Sequence, residues 1–185
     1  MPEWKESMAL IVVDVQKGFD DEVYWGPRNN PDCEANIGRL IEAWRDQGWP
    51  VVFVRHSSRN PSSPLSGNSP GFGFKDVIKG DPDLLVTKDV HSAFYGDVDL
   101  HAWLQEHGIT GVAICGIQTN MCCETTARQA SDLGYDMIFV LDATYTFDIV
   151  TPTHKVYRAR EVARYSAVSL DDSFGRVMRT MDLLD

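Results

Sequence analysis

Short apolar runs rich in β-branched residues recur along the chain, with room for a helix between one run and the next. The residues are apolar at consecutive rather than alternate positions, which indicates strands buried on both faces of a parallel sheet. Six runs are interpreted as strands: MALIVVDV (8–15), PVVFVRH (50–56), LLVTK (84–88), GVAICGI (111–117), DMIFVLDA (136–143) and AVSL (167–170). This pattern restricts the possible folds more than any other feature.

The segments between the runs have helical periodicity and end or begin at glycine or proline. Helices are predicted over 31–47, 100–107, 120–133, from 151 through 165, and over 173–181. Strands alternating with helices predict an α/β fold, a three-layer α/β/α sandwich around an open, mostly parallel six-stranded sheet of Rossmann-like type. No repeat or linker marks a boundary, so we expect a single domain over residues 1–185.

One segment departs from this alternation. Ser57–Gly80 is rich in proline and glycine around Phe72 and Phe74, and it is therefore predicted to be a long loop. Loops of this length often act as lids or subunit contacts. The Gly71-Phe72-Gly73 stretch within it is interpreted as a mobile cover.

The charge balance excludes several classes of partner. The formal net charge is -10, and Lys and Arg form no run, so a nucleic acid or an anionic membrane would be repelled. No stretch reaches the roughly 18 apolar residues of a membrane span. Glu3, Lys5 and Glu6 stand where a secretory signal would be apolar. We therefore expect a cytoplasmic protein that binds a small neutral or cationic molecule.

The cysteines suggest chemistry rather than structural support. Cys33, Cys115, Cys122 and Cys123 lack the paired CxxC spacing of a structural zinc site and are too few for a disulfide framework. Neighbouring helical residues point about 100° apart, so at most one of Cys122 and Cys123 faces a given site. Cys33 and Cys115 are interpreted as packing or surface residues.

Reactive side chains follow the ends of three predicted strands. Asp14 ends the first, Lys88 ends the third, and Cys122 opens the helix after the fourth, which Thr119 or Asn120 could cap. In open α/β sheets the carboxyl ends of the strands form the ligand site. The start of a helix favours the thiolate form and should lower the pKa of Cys122. The Asp14 carboxylate could accept the thiol proton, and the Lys88 ammonium could balance the negative charges. Backbone N–H groups of the same turn could hold an oxyanion.

Aromatic residues near the same edge could line a pocket. Phe19, Trp25, Phe94 and Phe147 follow strand ends or flank the reactive residues, and they could enclose an apolar substrate. His56 ends the second predicted strand, where a pocket role and a loop role are equally compatible with its position.

The motifs around these residues resemble the isochorismatase-like cysteine hydrolases. They are DVQ.GF at Asp14–Phe19, K..HSAF at Lys88–Phe94 and CGIQTNMCCETTARQASDLGY at Cys115–Tyr135, and the similarity extends over nearly the whole chain. Members of that family include nicotinamidases, carbamoyl-sarcosine amidase, ureidoacrylate and maleamate amidohydrolases, and isochorismatase itself. Family members are usually dimers or tetramers, so the resemblance implies a homodimer or homotetramer.

The resemblance also assigns roles to individual positions. It implies that Cys122, rather than Cys123, is the nucleophile, with Asp14 as general base and Lys88 as the third member of a catalytic triad. It further implies a cis peptide bond between Ile117 and Gln118, and an oxyanion hole formed by the backbone N–H groups of Gln118 and Cys122.

One family feature is missing. Metal-binding members carry an Asp-x-His pattern after the second strand, where this chain reads Arg55-His56-Ser57-Ser58-Arg59. A catalytic zinc needs about three protein ligands, so we expect neither a metal nor another cofactor.

The favoured hypothesis is hydrolysis of a C–N bond in a small amide or carbamoyl compound through a Cys122 thioester. Two alternatives remain open: a vinyl-ether hydrolase like isochorismatase, for which Asp14 is essential and Cys122 is not, and a non-catalytic ligand-binding or thiol-sensing protein. The residues leave the identity of the substrate open.

Overall fold

The computed structural model describes residues 8–184 of the chain. Its strands are β1 (Met8–Val13), β2 (Val51–His56), β3 (Leu84–Lys88), β4 (Gly111–Ile117), β5 (Asp136–Tyr145), β6 (Ile149–Val150), β7 (Val156–Tyr157) and β8 (Arg176–Met178). One sheet has the order β3-β2-β1-β4-β5-β8 with every neighbouring pair parallel, and β6 and β7 form a separate antiparallel pair.

Helices cover both faces of the sheet. They are α1 (Glu22–Trp25), α2 (Cys33–Asp46), α3 (Leu100–Glu106), α4 (Glu124–Asp132), α5 (Ala159–Leu170) and α6 (Thr180–Leu184), with short 3₁₀ helices at Lys17–Asp20, Pro70–Phe72 and Ala93–Tyr95. The apolar core on one face includes α2 and α6, and the core on the other includes α3, α4 and α5. The predicted three-layer α/β/α sandwich is confirmed.

Strand β1 shows why the apolar runs are continuous. Leu10 and Val12 belong to the core on the α2 face, whereas Ile11 and Val13 belong to the core on the α3 face. All positions of this central strand are buried. A strand covered on both sides has no position at which a polar side chain could reach water.

The sixth predicted strand is wrong. Residues 167–170 form the last turn of α5, in which Ala163, Ala167 and Leu170 are buried at helical spacing. A run of this length does not distinguish a buried helix from a strand. The sheet is instead completed by β8, a short edge strand whose Arg176 is exposed.

Two predicted helices also differ from the structure. The β6–β7 pair occupies the region predicted to start a helix at 151, and α5 begins only at Ala159, whose backbone N–H donates to Asp148 Oδ1 at 2.7 Å. Strand β8 interrupts the helix predicted over 173–181. Helix α6 begins at Thr180, whose N–H donates to Asp142 Oδ1 at 2.7 Å.

The loop predicted over 57–80 is confirmed apart from the short 3₁₀ helix, but it is packed rather than loosely attached. Leu65 lies in the α2-side core, and the carbonyl oxygen of Phe72 accepts a hydrogen bond from Gln16 Nε2 at 2.9 Å. A Cβ atom on Gly71 would lie 2.6 Å from Gly18 Cα, so glycine is needed here for close packing.

Among residues 8–184, no helix combines the length and the apolar character needed to span a membrane.

Candidate active site

Asp14 and Lys88 form an ion pair in the interior. Lys88 Nζ lies 2.6 Å from Asp14 Oδ2, and both side chains have zero solvent exposure. Strand β2 lies between the strands that carry the two residues, so the lysine side chain reaches across the end of β2. The structure thus brings together two of the residues predicted for the site.

The backbone holds Asp14 in an unusual conformation. Its φ angle is 53°, in the left-handed region that side-chain-bearing residues rarely adopt, and its N–H donates to the carbonyl of Val54 at 2.9 Å. Such a conformation costs of order 1–3 kcal/mol and persists only where its surroundings hold it. The chain therefore turns sharply after β1 and directs the carboxylate towards the end of β3.

Gly116 allows β4 to approach β1 closely just before Asp14. Its φ angle is 129°, and a Cβ atom there would lie 2.0 Å from the carbonyl oxygen of Val13. Only glycine fits such an approach. The turn after β4 is thereby placed beside Asp14.

Cys122 lies in that turn. Residues Thr119–Cys123 form a π-helical turn before α4, and the peptide bond between Ile117 and Gln118 is cis. Cys122 Sγ, a carboxylate oxygen of Asp14 and a ring nitrogen of His56 all lie within 4.8 Å of one another. Cys123 is completely buried. The geometry thus brings Cys122 into the cluster with Asp14 and Lys88.

The Cys122 thiol does not have the lowered pKa expected from a helix start. Burial raises its pKa most, the Asp14 carboxylate raises it further, and Lys88 opposes both without cancelling them. The expectation was wrong because it considered the helix and ignored the surrounding protein. In the free protein Cys122 is therefore a thiol at neutral pH.

Lys88 stays charged and Asp14 keeps a free acceptor atom. Burial alone would lower the pKa of Lys88, but the Asp14 carboxylate and Cys122 raise it above its usual range. Asp14 Oδ1 is buried and has no hydrogen-bond partner among the described residues. That oxygen is available to accept a proton.

Threonines on β5 and the segment after it fasten the turn. Thr119 Oγ1 donates to Thr144 Oγ1 at 2.8 Å, and Thr146 Oγ1 donates to Asn120 Oδ1 at 2.5 Å. Neither Thr119 nor Asn120 caps a helix with its side chain, so that prediction is wrong. The sequence motif contains both residues, but their partners 25 and 26 positions away are not evident from it.

Gln16 and His56 connect the ends of β1 and β2. Gln16 Oε1 accepts a hydrogen bond from the backbone N–H of His56 at 2.7 Å, and Gln16 Nε2 donates to the carbonyl of His56 at 3.0 Å. His56 Nδ1 lies 3.3 Å from Lys88 Nζ. The sequence placed His56 at the ligand edge but gave no sign of this contact, and the role of Gln16 was missed.

Three of the predicted aromatic residues form one cluster. The ring centroids of Phe19 and Trp25 are 4.9 Å apart, and those of Trp25 and Phe147 are 5.5 Å apart. Phe19 and Phe147 line a cleft of about 670 Å³ together with Asp20, Glu22, Gly26, Pro27, Arg28 and Pro31. Since Phe19 follows β1 and Phe147 follows β5, the cleft opens at the carboxyl edge of the sheet.

Phe94 lies apart from that cluster. It is buried in the core on the α3 face, which also contains Cys122, and it stacks on Tyr135 with ring centroids 6.1 Å apart. The structure thus separates the predicted pocket residues into two groups on opposite faces of the sheet.

A network of charged residues adjoins the cleft, and two of its members, Asp20 and Arg28, line it. Lys75 Nζ donates to Asp20 Oδ1 at 2.5 Å and to Glu34 Oε1 at 2.8 Å, and both oxygens of Glu34 accept hydrogen bonds from Arg28. The Arg28 guanidinium also lies 3.8 Å from the centroid of the Tyr145 ring. This network was missed because an isolated loop lysine such as Lys75 normally indicates a solvated side chain.

The spacing of three side chains would allow them to bind a metal ion. One ligand atom from each of Asp14, His56 and Cys122 lies within 4.8 Å of the others. The Lys88 ammonium, however, lies 2.6 Å from Asp14 Oδ2 and 3.3 Å from His56 Nδ1. A metal cation bound beside that ammonium would be repelled by its charge. The cluster fits an ammonium rather than a metal ion.

Comparison with known proteins identifies the family. The sequence profile of the isochorismatase domain matches residues 8–180. YrdC, an isochorismatase family protein of Bacillus subtilis, is 37% identical over 98% of this chain and 96% of its own length. Nicotinamidase 3 of Arabidopsis thaliana is 32% identical over 76% of this chain and 74% of its own length.

Solved structures agree. An isochorismatase family structure from Chromobacterium violaceum superposes with a TM-score of 0.90 at 32% identity, covering 100% of this chain and 97% of the other. A cysteine hydrolase from Pseudomonas syringae superposes with a TM-score of 0.86 at 26% identity, covering 97% and 92%. Sequence, fold and site geometry therefore lead to one conclusion: this chain belongs to the isochorismatase family of hydrolases.

Proposed function

We propose that this protein is a metal-independent amidohydrolase, which cleaves the C–N bond of a small amide or carbamoyl compound through a thioester on Cys122. The observation that carries the proposal is the buried Asp14–Lys88 ion pair with Cys122 Sγ within 4.8 Å of the Asp14 carboxylate. A nucleophile, a proton acceptor and a fixed cation in one buried cluster are the requirements of acyl transfer by a thiol.

In the first half of the reaction, Cys122 Sγ attacks the carbonyl carbon and its proton passes to Asp14. Because the thiol is protonated in the free protein, proton transfer and C–S bond formation occur together once the substrate is bound. Asp14 Oδ1, buried and without a hydrogen-bond partner among the described residues, is the receiving atom. Lys88 remains an ammonium and offsets the negative charge that develops on sulfur and substrate.

The tetrahedral intermediate places a negative charge on the former carbonyl oxygen. We assign its stabilisation to the backbone N–H groups of Gln118 and Cys122 in the turn after β4, since preorganised N–H donors are the usual oxyanion partners. The contacts of Thr119 and Thr146 to the end of β5 and its continuation would keep that turn fixed during the reaction.

Asp14 then returns its proton to the nitrogen of the substrate, and the C–N bond breaks. Ammonia or an amine departs, and the acyl group stays on Cys122 as a thioester. In the second half, Asp14 removes a proton from water, and the resulting hydroxide attacks the thioester carbon. The C–S bond breaks, the carboxylic or carbamic acid departs, and the proton on Asp14 restores the thiol. Overall, one amide and one water give one acid and one amine.

Charge and relatives support a small amide as substrate. The aromatic cleft of about 670 Å³ opens at the same edge of the sheet, but Asp14, Lys88 and Cys122 are not among the residues that line it, so its volume does not define the substrate. The net charge of -10 disfavours polyanionic substrates. Relatives named as a nicotinamidase and a cysteine hydrolase support C–N cleavage by a thiol rather than vinyl-ether hydrolysis.

The test is ammonia release from a panel of small primary amides, ureido acids and carbamoyl compounds. We expect the wild-type protein to hydrolyse at least one of them, and Cys122→Ala to lose at least about a thousandfold in kcat while its circular dichroism stays native. Rapid acid quenching should reveal a thioester adduct by intact mass in the wild type alone. Near-wild-type turnover by Cys122→Ala would overturn the proposal.

A matched control separates the alternative chemistry. Cys123→Ala removes the neighbouring thiol, which is completely buried, and should keep turnover. A vinyl-ether hydrolase would instead keep its activity in Cys122→Ala and lose it in Asp14→Asn.

A further inference from the structure

His56 faces Lys88 with one of its ring nitrogens. His56 and Lys88 are register partners at the ends of β2 and β3, and His56 Nδ1 lies 3.3 Å from Lys88 Nζ. An ammonium has three donors and no acceptor, so in this contact the imidazole nitrogen accepts. A hydrogen bond here requires a neutral ring with its proton on Nε2.

The contact determines how the Lys88 ammonium is rotated. One of its N–H groups points to Asp14 Oδ2 at 2.6 Å and a second to His56 Nδ1. Cys122 Sγ lies within 4.8 Å of an Asp14 carboxylate oxygen and of a His56 ring nitrogen, and it also interacts with the Lys88 ammonium, which leaves the third N–H group for the sulfur. Without an acceptor at position 56, the ammonium could rotate away from the sulfur.

We propose that neutral His56 is a positioning residue that holds the Lys88 ammonium between Asp14 and Cys122, and that protonation of His56 in acid disables the site. The expected effect of His56 on turnover rests on the proposed function, whereas the contact between His56 and Lys88 does not. A proton on Nδ1 removes the acceptor and sets two cations 3.3 Å apart. The ammonium then has to move, and the charge balance on Cys122 and Asp14 is lost.

The surroundings of His56 favour the neutral ring. Burial lowers its pKa most, Lys88 from β3 lowers it further, and His91 from the following loop adds to this effect. Asp14 at the end of β1 and a hydrogen bond to the backbone of Val90 act in the opposite direction, but the net pKa lies below the ordinary value of 6.5.

Two further groups face the same ring. Asp89 follows Lys88 in the chain but is exposed and paired with Arg59 at 2.7 Å. Cys122, from the turn after β4, is a neutral thiol in the free protein. Asp89 does interact with His56 electrostatically, but it is exposed and engaged with Arg59, and the pKa of His56 still lies below its ordinary value. The ring is therefore neutral at neutral pH.

The experiment compares two variants of position 56. In His56→Asn an amide oxygen replaces Nδ1 and accepts the Lys88 proton without titrating, whereas His56→Leu has no acceptor. We expect His56→Leu to lose roughly ten- to a hundredfold in kcat with little change in KM, because a hydrogen bond to a charged group is removed. His56→Asn should keep kcat within a few-fold of the wild type at neutral pH.

The pH profile distinguishes positioning from a structural role. The wild-type kcat should fall on an acidic limb below pH 6.5, and His56→Asn should lack that limb. Retention of the limb by His56→Asn, or wild-type kcat in His56→Leu, would overturn the inference. If His56→Leu fails to fold, the profile of His56→Asn decides alone.

A substrate-free measurement separates this inference from the proposed function. The His56 ring resonance, identified by its loss in His56→Asn, should titrate below 6.5 in the wild type and at a higher pH in Lys88→Met. A wild-type titration at or above 6.5 would refute the contact. Should no amide be hydrolysed, the proposed function fails, and the titration still decides whether His56 and Lys88 are coupled.

Discussion

Lys88 Nζ and Asp14 Oδ2 lie 2.6 Å apart at full burial, although the two residues are 74 positions apart in the chain. Two opposite charges in a dry interior stabilise the fold only as a pair, since either one alone would have to be desolvated without compensation. The pair is therefore a structural element as well as the centre of the proposed site.

Removal of one partner should cost more than removal of both. We expect Lys88→Met to reduce the free energy of unfolding by about 3–5 kcal/mol, because it leaves the Asp14 carboxylate buried and unpaired. Addition of Asp14→Asn to Lys88→Met should recover part of that loss, as urea unfolding of the two single variants and the double variant would measure. Strictly additive losses would contradict the coupling.

Asp14 and Lys88 should act in opposite directions on the reactivity of Cys122. The carboxylate raises the thiol pKa and the ammonium lowers it, so at mildly alkaline pH Asp14→Asn should react about tenfold faster with iodoacetamide and Lys88→Met more slowly. Adduct formation is followed by intact mass, with Cys122→Ala as the blank. A change of the same sign in both variants would contradict the cluster geometry.

Gly116→Ala should be far more damaging than a comparable glycine substitution elsewhere. Its Cβ would lie 2.0 Å from the Val13 carbonyl oxygen, so we expect a loss of at least about 3 kcal/mol and loss of turnover. Gly134 is the matched control: its φ angle is also positive, at 91°, but nothing lies within 4 Å of its Cβ position. Gly134→Ala should cost only about 1–2 kcal/mol, and equal losses of thermal stability would rule out the close approach.

The charged network of Arg28, Glu34 and Lys75 beside the cleft should make stability pH-dependent in acid. Burial alone would raise the pKa of Glu34, but its hydrogen bonds with Arg28 and Lys75 lower it from 4.5 to about 2. Because the folded-state pKa is the lower one, this stabilisation is present above pH 4.5 and is lost as the pH falls towards 2. It amounts to at most about 3 kcal/mol.

Urea unfolding of Glu34→Gln measures this contribution. The difference in free energy of unfolding between wild type and variant should be largest near neutral pH and should shrink across that acidic window. Glu106→Gln, at the exposed end of α3, is the surface control. A difference in free energy of unfolding that stays constant with pH would show that Glu34 stabilises the fold by packing alone.

The fold was largely predictable because strands that are buried on both faces need apolar residues at consecutive positions, and this pattern is visible in the sequence. Residues such as Leu10 and Ile11 must both be apolar when each faces a different core. The errors came where this rule does not apply. Strand β8 is a short edge strand with an exposed Arg176, and Leu170 ends a helix after a run too short to show its period.

The candidate catalytic residues Asp14, Lys88 and Cys122 were predictable because they lie at or after the ends of strands, and the carboxyl ends of parallel strands meet at one edge of the sheet. Side chains that position them were not. Gln16 lies in a recognisable motif, but its partners His56 and Phe72 are 40 and 56 residues away. The thiol pKa of Cys122 was misjudged for a related reason, since burial is a property of the assembled protein and not of the helix that carries the residue.

Strand β1, paired on both sides and buried along its whole length, is the part of the sheet that should exchange its amide hydrogens most slowly, whereas β3 is an edge strand. Asp14 is anchored to the first and Lys88 to the second. Local opening at the β3 edge would withdraw the ammonium while the centre of the sheet is still intact. Catalytic competence would then disappear at milder conditions than the fold itself, because the proposed site extends from a part of the protein that opens late to a part that opens early.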